Sequence, residues 1–254
     1  MSRSPFSSGD PIADRRLAHA RDYADAGEPG AAAELMEQAL ERVEDWAGGW
    51  FLLGDWRAAA GDGVGAAAAW ERALALDPED RCGAVLRLAR AGARPTPDAP
   101  PPAHVRALFD DYAGRFETSL VTRLGYRAPQ LIAEAIDAVV PGRRFERGLD
   151  LGCGTGLMAR ALEGRVRRLE GVDLSPAMIE LARATGLYAA LAVDDVAADL
   201  GRRTEATLDL ITAADVFCYL GDLGDVIGAA ARVLASGGIL AFSVEAAGEA
   251  GEVR

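Results

Sequence analysis

The residues of this chain that are best placed for chemistry form a glycine-rich segment at 149–156, with the sequence LDLGCGTG. The apolar residues before it predict a buried strand over 148–151, and those after it predict a helix from about Leu157. Glycines let the backbone turn tightly and let a ligand lie against the peptide plane. The amide groups that open a helix are unpaired and can bind such a ligand. The segment therefore predicts a ligand-binding loop between a strand and a helix.

Asp173 is the acidic residue best placed to bind a sugar. The segment 166–172 predicts a second strand that ends at this residue, 17 residues after Gly156. In glycine-loop folds that bind dinucleotides, an acid about 20 residues beyond the loop accepts hydrogen bonds from ribose hydroxyls. Ser175 and Pro176 predict the start of the next helix, as a cap and a first-turn proline. The pattern predicts that Asp173 faces a ribose.

Two further predicted strands also lead into acidic residues. A third strand, 189–193, is followed by Asp194 and Asp195. A fourth strand, 208–213, is separated from Asp215 by a single residue. Strands separated by helical segments are typical of an open α/β sheet, in which a ligand lies across the carboxyl ends of the strands. We therefore expect these acids and the glycine-rich loop to share one edge of the sheet.

Two of these segments resemble a known family. Residues 150–156 (DLGCGTG) and 171–178 (GVDLSPAM) are similar to the first two motifs of class I S-adenosylmethionine-dependent methyltransferases. Nicotinamide-binding domains instead carry Gly-x-Gly-x-x-Gly, which binds a pyrophosphate. The resemblance implies a Rossmann-like doubly wound sheet and S-adenosylmethionine, rather than NAD, as the cofactor.

The resemblance also implies roles for the residues at the first two strand ends. Gly152 and Gly154 would lie along the methionine portion of the cofactor, and Asp150 would help to orient its amino group. Asp173 would bind the ribose hydroxyls. These four residues form the centre of the expected site.

The remaining cofactor contacts are expected further along the chain. Met178 would pack on one face of the adenine, although an ordinary core contact on an amphipathic helix is equally compatible with its position. Asp195 and the Val196 backbone would lie at the adenine edge, with Asp194 the alternative to Asp195. The backbone carbonyl of Ala214 would bind the methionine ammonium.

Three further segments extend the resemblance. Residues 105–117, 124–129 and 214–223 are similar to parts of methyltransferases that carry tetratricopeptide repeats. In such enzymes a leading helix folds over the cofactor. The lid candidates are Tyr112, Phe116 and Tyr126. The spacing of the apolar residues in this helix fits a plain core stripe as well.

The first half of the chain matches the tetratricopeptide pattern of small, large and turn-forming positions. The matching residues are Trp50, Leu53, Gly54, Ala66, Trp70, Ala73 and Pro78, and in an earlier, looser copy Ala20, Tyr23, Ala32, Met36 and Ala39. We predict an all-α repeat domain over 14–91, with a capping helix at 81–91. A proline-rich linker without fixed tertiary contacts follows over 92–103, and then a methyltransferase domain over 104–254. The repeat domain would bind a peptide, or serve docking or dimerisation.

The composition of the chain restricts the binding partners and the cellular compartment that we expect. The chain carries 39 acidic and 27 basic residues, a formal charge of −12, which disfavours nucleic acid. No apolar run approaches the roughly 18 residues needed to span a bilayer, and the N-terminus lacks the apolar core of a signal peptide. The three cysteines and two histidines show no metal-ligand spacing. We predict a cytoplasmic protein with no nucleic-acid or membrane partner and no metal.

Function is predicted as methyl transfer to a small-molecule or protein acceptor. No catalytic residue is assigned, although Asp215 and Tyr219 could orient or deprotonate an acceptor, or else act as a helix cap and a core residue. The predicted fifth strand, 239–244, is followed only by 245–254, so the sheet is expected to lack strands six and seven. The alternative is therefore a repeat-based interaction protein whose cofactor domain is vestigial or completed by a partner.

Overall fold

A computed structural model describes residues 5–115 and 125–245. The chain divides into two compact units, Met1–Ala107 and Leu108–Arg254. The helices of the first unit are α1 (Pro11–Asp25), α2 (Pro29–Leu40), α3 (Ala47–Ala59), α4 (Gly63–Leu76) and α5 (Ala84–Arg90). A sixth helix, α6 (Pro102–Tyr112), begins in the first unit and ends in the second.

The helices of the first unit pack in chain order, each against the next. Small residues permit this close packing. A Cβ atom added to Gly54 of α3 would lie 2.4 Å from the Trp70 Nε1 atom of α4. Among the predicted repeat positions, Ala20, Ala32 and Met36 are fully buried, as helix–helix contacts require. The helical content predicted for the first half is confirmed.

Two details of the first unit differ from the predictions. The capping helix begins at Ala84 rather than at 81, because the Asp80 carboxylate accepts hydrogen bonds from the Ala84 and Val85 N–H groups. The proline-rich segment was expected to lack fixed contacts, but Arg94 forms two charged hydrogen bonds to Glu71, of 2.7 and 2.6 Å.

The second unit contains a five-stranded parallel sheet with the strand order β3-β2-β1-β4-β5. Its strands are β1 (Phe145–Leu151), β2 (Val166–Asp173), β3 (Ala190–Val193), β4 (Leu208–Ala213) and β5 (Leu234–Phe242). Its helices after α6 are α7 (Ala128–Val139), α8 (Leu157–Ala161), α9 (Pro176–Ala184), α10 (Val196–Arg202) and α11 (Gly224–Val233). The predicted α/β class is confirmed. The strand order reverses between β1 and β4, so a crevice opens at their carboxyl ends.

Helices cover both faces of this sheet. Side chains alternate between the faces along a strand, so the adjacent residues Leu210 and Ile211 of β4 enter different clusters. Leu210 packs with Ile136 of α7, and Ile211 packs with Leu200 of α10 and Val226 of α11. Burial on both faces explains the apolar run in β4, which made this strand easy to predict from the sequence.

The sheet boundaries correct two predictions. β1 begins at Phe145, before the predicted 148, because pairing with β2 starts at Phe145 and Val166. β5 begins at Leu234, directly after α11, rather than at 239. Leu234 pairs with Leu208, and an irregularity in register follows. Residues 246–254 lie outside the described residues, so the expected lack of strands six and seven stays a prediction.

The described helices include none long and apolar enough to cross a bilayer.

The packing at Gly54 gives a test of the first unit. Gly54→Ala should lower its free energy of unfolding by about 1–3 kcal/mol, because the new methyl group would overlap the Trp70 indole. All 4 tryptophans lie within 46–70, so tryptophan fluorescence during urea unfolding reports on this unit alone.

The matched control for this substitution is Gly30→Ala in the first turn of α2. Nothing lies within 4 Å of a Cβ atom added there. We expect this variant to be unchanged or up to about 1 kcal/mol more stable, since alanine favours helix over glycine. Equal loss in the two variants would contradict the packing argument.

Candidate functional site

The glycine loop (residues 152–156) follows β1 with three glycines in left-handed backbone conformation. Gly152, Gly154 and Gly156 have φ values of 59°, 51° and 93°, a region that disfavours any residue with a Cβ atom. A Cβ atom on Gly152 would also lie 2.4 Å from the Val216 Cγ2 atom, in the loop after β4. At Gly154 the nearest atom is a carbonyl oxygen at 4.0 Å, so the space above it is open. The backbone at Gly154 can therefore meet a ligand.

Asp173 joins the glycine loop to the segment after β2. Its Oδ2 atom accepts a hydrogen bond from the Gly154 N–H group (2.9 Å), and its Oδ1 atom accepts one from Ser175 N–H (2.8 Å). The side chain is held at the carboxyl end of β2, where it is 9% exposed. Burial raises the pKa of Asp173, while the two backbone hydrogen bonds oppose this shift. The predicted position at the mouth of the crevice is consistent with binding a ribose.

Asp150 lies beneath the loop, 1% exposed. Its Oδ2 atom accepts a hydrogen bond from the Tyr188 hydroxyl (2.6 Å), and its Oδ1 atom accepts one from Thr212 Oγ1 (3.0 Å). Burial raises the pKa of Asp150 to about 7, although the hydrogen bonds from Tyr188 and Thr212 lower it. Both oxygens are engaged inside the protein, so contact with a cofactor amino group stays a prediction.

Sequence reasoning missed Tyr188 and Thr212. One signal for Tyr188 was available, because glycine inside a strand often marks the close approach of another group. A Cβ atom on Gly171 of β2 would lie 2.9 Å from the Tyr188 Cε1 atom. The tyrosine ring thus occupies the space that this glycine leaves, next to the buried Cys153.

The start of α9 connects the site to the leading helix α6. Ser175 Oγ accepts a hydrogen bond from the Met178 N–H group (3.1 Å), which confirms the predicted cap. The same hydroxyl donates to Asp110 Oδ1 of α6 (2.6 Å), and Ala177 N–H donates to that oxygen at 3.3 Å. Met178 is 1% exposed, so an ordinary core contact remains compatible with its position.

The end of α6 also reaches the segment after β4. The Phe109 and Tyr219 rings pack edge to face, with centroids 5.4 Å apart. Asp110 and Phe109 therefore contact the segments that follow β2 and β4, on the two sides of the crevice. Tyr112 is half-buried near the end of this helix. Phe116, the third lid candidate, lies outside the described residues.

The remaining predicted residues lie after β3 and β4. Asp195 caps α10, with Oδ1 accepting hydrogen bonds from the Ala197 and Ala198 N–H groups. Asp194 forms an ion pair with Arg202. Both acids are half-buried at the end of β3, so the choice between them for the adenine edge stays open.

Val196 is buried and Ala214 is half-buried, at the starts of the segments that follow Asp195 and β4. Asp215 is exposed, while Tyr219 is half-buried. The short 3-10 helix Phe217–Tyr219 has Val216 at its N-cap, so Asp215 does not cap it.

The buried Asp150 predicts a dependence of stability on pH. Its pKa rises from 3.8 to about 7 on folding, so the folded state favours the protonated form. Its stabilising contribution is complete below about pH 4 and is lost as the pH rises to about 7. Asp150→Asn should therefore flatten the decline of unfolding free energy over this range, by a few kcal/mol in total.

Urea unfolding of the second unit, followed by circular dichroism between pH 4 and 8, measures this effect. Asp209→Asn is the control. Asp209 also accepts two backbone hydrogen bonds, from Glu146 and Arg147, at the amino end of the sheet. Parallel pH profiles for wild type and Asp150→Asn would contradict the assignment.

Comparison with known proteins adds to this geometry. Residues 149–242 match a family model described as a methyltransferase domain. The chain is 34% identical over 131 residues to methyltransferase-like protein 27 of Homo sapiens, covering 51% of this chain and 53% of that protein. It is 32% identical over 109 residues to a ubiquinone biosynthesis O-methyltransferase of Hahella chejuensis, covering 42% and 44%. The chain spans about half the length of the curated relatives it matches.

Two solved structures show the same type of similarity. An S-adenosylmethionine-dependent methyltransferase from Clostridium acetobutylicum is 26% identical, with a TM-score of 0.42, covering 53% of this chain and 56% of that one. Phosphoethanolamine N-methyltransferase 1 of Haemonchus contortus is 18% identical, with a TM-score of 0.46, covering 56% and 31%. On the family model and the sequence relatives, residues 149–242 are similar to methyltransferase domains.

Proposed function

We propose that this protein transfers a methyl group from S-adenosylmethionine to a small-molecule or protein acceptor. The observation that carries the proposal is the position of Asp173, whose carboxylate bridges the glycine loop and the start of α9. This bridge lies at the carboxyl ends of the strands, beside the point where the strand order reverses. Ligands of open α/β sheets bind at such a point.

The residues present fit the cofactor. The space above Gly154 is open, which suits a ligand that lies against the backbone without a phosphate. Asp173 uses one lone pair of each oxygen for the two backbone hydrogen bonds, and a carboxylate has about four acceptor positions. Two acceptor positions therefore remain for ribose hydroxyls. This arrangement supports binding of the ribose by Asp173 and of the methionine portion by Gly152 and Gly154.

Asp150 would act on this site from beneath. Its hydrogen bonds to Tyr188 and Thr212 fix the end of β1, from which the glycine loop starts. An ionised Asp150 would also place negative charge below the methionine ammonium of the cofactor. Met178, Asp195, the Val196 backbone and the Ala214 carbonyl complete the proposed set around the adenine and the ammonium.

Direct methyl transfer depends mainly on how the two reactants are positioned. When bound, the cofactor supplies a methyl group on a positively charged sulfur. A nucleophile can attack this methyl carbon directly, with the sulfur as the leaving group. Holding two reactants in line can contribute about 7–11 kcal/mol at most. The chain would provide this by fixing the cofactor on the glycine loop and the acceptor beside the segment after β4.

The end of α6 would serve as the lid of this site. Asp110 contacts the start of α9, and Phe109 contacts Tyr219 after β4, so this helix touches both sides of the crevice. A lid excludes water from the reacting groups. Tyr112 and Tyr126 are its further candidates.

We also propose that the first unit is a tetratricopeptide-repeat domain that docks a protein partner. Its support is the pairing of α1 with α2 and of α3 with α4, together with the burial of the small repeat positions. An open cleft of about 630 Å³ between α1 and α2 carries the acids Asp22, Glu28 and Glu34 beside Tyr23. This composition favours a basic partner segment.

Replacing Asp173 tests cofactor binding. Asp173→Ala should weaken S-adenosylmethionine binding by about tenfold or more, since hydrogen bonds to charged groups contribute roughly 1.5–3 kcal/mol. Calorimetric titration of the purified chain measures the dissociation constant. Asp209→Ala is the matched control, because it also removes a carboxylate that accepts two backbone hydrogen bonds.

The two variants separate an effect at the glycine loop from the general loss of a carboxylate that accepts backbone hydrogen bonds. Unchanged affinity in Asp173→Ala, or equal losses in both variants, would contradict the ribose contact. Absence of binding by the wild type at millimolar cofactor would favour the alternative of a repeat-based interaction protein.

Replacing Asp110 tests the lid. Asp110→Ala removes the acceptor for Ser175 Oγ and Ala177 N–H, so the bound cofactor should dissociate several-fold faster. Stopped-flow displacement of a fluorescent cofactor analogue measures this rate. Asp111→Ala on the same helix is the control, and identical rates in the two variants would exclude a lid anchored by Asp110.

A further inference from the structure

Side chains from three segments interact with Asp215, beyond the residues assigned to the cofactor. Tyr126 precedes α7, Tyr219 lies in the segment after β4, and Ser243 follows β5. The Tyr219 ring packs on Phe109 of α6. The group thus lies at the carboxyl ends of β4 and β5, where the proposed acceptor would have to bind.

Asp215 is held in an unusual backbone conformation. Its φ of 54° is in the left-handed region, although it is not a glycine. Such a conformation is unfavourable and persists only where surrounding contacts impose it. Here the Asp215 N–H group donates to Ser243 Oγ (2.8 Å), and that hydroxyl donates back to Asp215 Oδ1. The carboxylate is fixed in direction and stays exposed to solvent.

This carboxylate lies next to the proposed cofactor site. The neighbouring residue Val216 packs so closely on Gly152 that a Cβ atom there would overlap it. Burial, and after it the charges of Asp215 and of the buried Asp150, raise the pKa of Tyr126. A ligand that contacts Asp215 would therefore be adjacent to the methionine end of the glycine loop.

The electrostatic environment of this group is negative. Burial, and after it the carboxylate of Asp215, raise the pKa of Tyr126. Burial also raises the pKa of Tyr219, to which the charges of Asp215 and Glu245 contribute. Such a field disfavours an anionic acceptor, or a phenol that must ionise, and attracts a cation.

Aromatic rings add to this preference. Tyr219 and Phe109 form an edge-to-face pair, and Tyr126 lies close to the same carboxylate. Ring faces attract ammonium groups, because the π-electrons carry partial negative charge. A carboxylate flanked by aromatic rings therefore suits an amine that carries an apolar or aromatic body.

We propose that the acceptor is an amine, bound by Asp215 between Tyr126 and Tyr219, and this rests on the proposed methyl transfer. Asp215 holds an N–H group of the acceptor. In the step, the bound ammonium first gives one proton to the Asp215 carboxylate, which passes it to water. The lone pair freed on nitrogen then forms the bond to the methyl carbon, and the methyl–sulfur bond breaks with its electron pair staying on sulfur.

The test uses three probes with one ring and one short chain, which differ in their terminal group. These are phenethylamine, 2-phenylethanol and phenylacetate. Their affinities for the full chain saturated with S-adenosylhomocysteine are measured by ligand-observed NMR titration. Asp215→Asn is the variant, since asparagine tolerates the left-handed backbone. Glu163→Gln is the control, an exposed acid in the turn before β2, at the opposite end of the sheet.

We expect phenethylamine to bind with a millimolar or lower dissociation constant, more tightly than 2-phenylethanol and much more tightly than phenylacetate. In Asp215→Asn the advantage of the amine over the alcohol should fall by about fivefold, as losing an exposed charge pair of up to about 1 kcal/mol implies. Glu163→Gln should retain it.

Phenylacetate binding at least as tightly as phenethylamine would overturn the amine assignment, as would an unchanged preference in Asp215→Asn or no binding of phenethylamine at millimolar concentration. In those cases binding of S-adenosylhomocysteine would still support the methyltransferase function. Failure of the wild type to bind S-adenosylhomocysteine would overturn both proposals, and the titration without probes reveals this first.

Discussion

The hydrogen bonds that Asp173 accepts from Gly154 and Ser175 hold the functional end of this protein together. One oxygen fixes the glycine loop and the other fixes the start of α9. These two segments follow neighbouring strands, β1 and β2, so one carboxylate sets the spacing between them. Burial of Asp173 is costly, and the two backbone N–H groups offset that cost. The bridge therefore forms only when the sheet has brought both strand ends together.

Other contacts extend from this bridge to the rest of the site. Ser175, whose N–H group binds Asp173, uses its hydroxyl to bind Asp110 of α6. On the opposite side of the crevice, Val216 packs on Gly152, and the next residue back, Asp215, is held by Ser243. The proposed cofactor and acceptor positions thus share one set of packed segments. A substitution that removes the Asp173 hydrogen bonds should therefore alter both the cofactor position and the acceptor position.

Local patterns in the sequence predicted much of this architecture. The glycine loop, the Ser175 cap and β4 were predicted because glycine, serine and apolar runs act on their own neighbours. The partners of Asp150 and Ser175 were not predicted. Tyr188 is 38 residues from Asp150, and Asp110 is 65 residues from Ser175, so these contacts exist only in the folded chain. The start of β5 was placed too late, because Gly237-Gly238 resembles a loop although the strand runs through it.

A thermodynamic cycle on the ribose hydroxyl isolates what Asp173 contributes to cofactor binding. S-adenosylhomocysteine and its 2′-deoxy analogue are titrated by calorimetry into wild type and Asp173→Ala. If Asp173 binds the ribose, wild type should prefer the hydroxylated ligand by about tenfold, and the variant should lose most of that preference. An equal preference in both proteins would show that Asp173 only supports the loop, and would contradict the account.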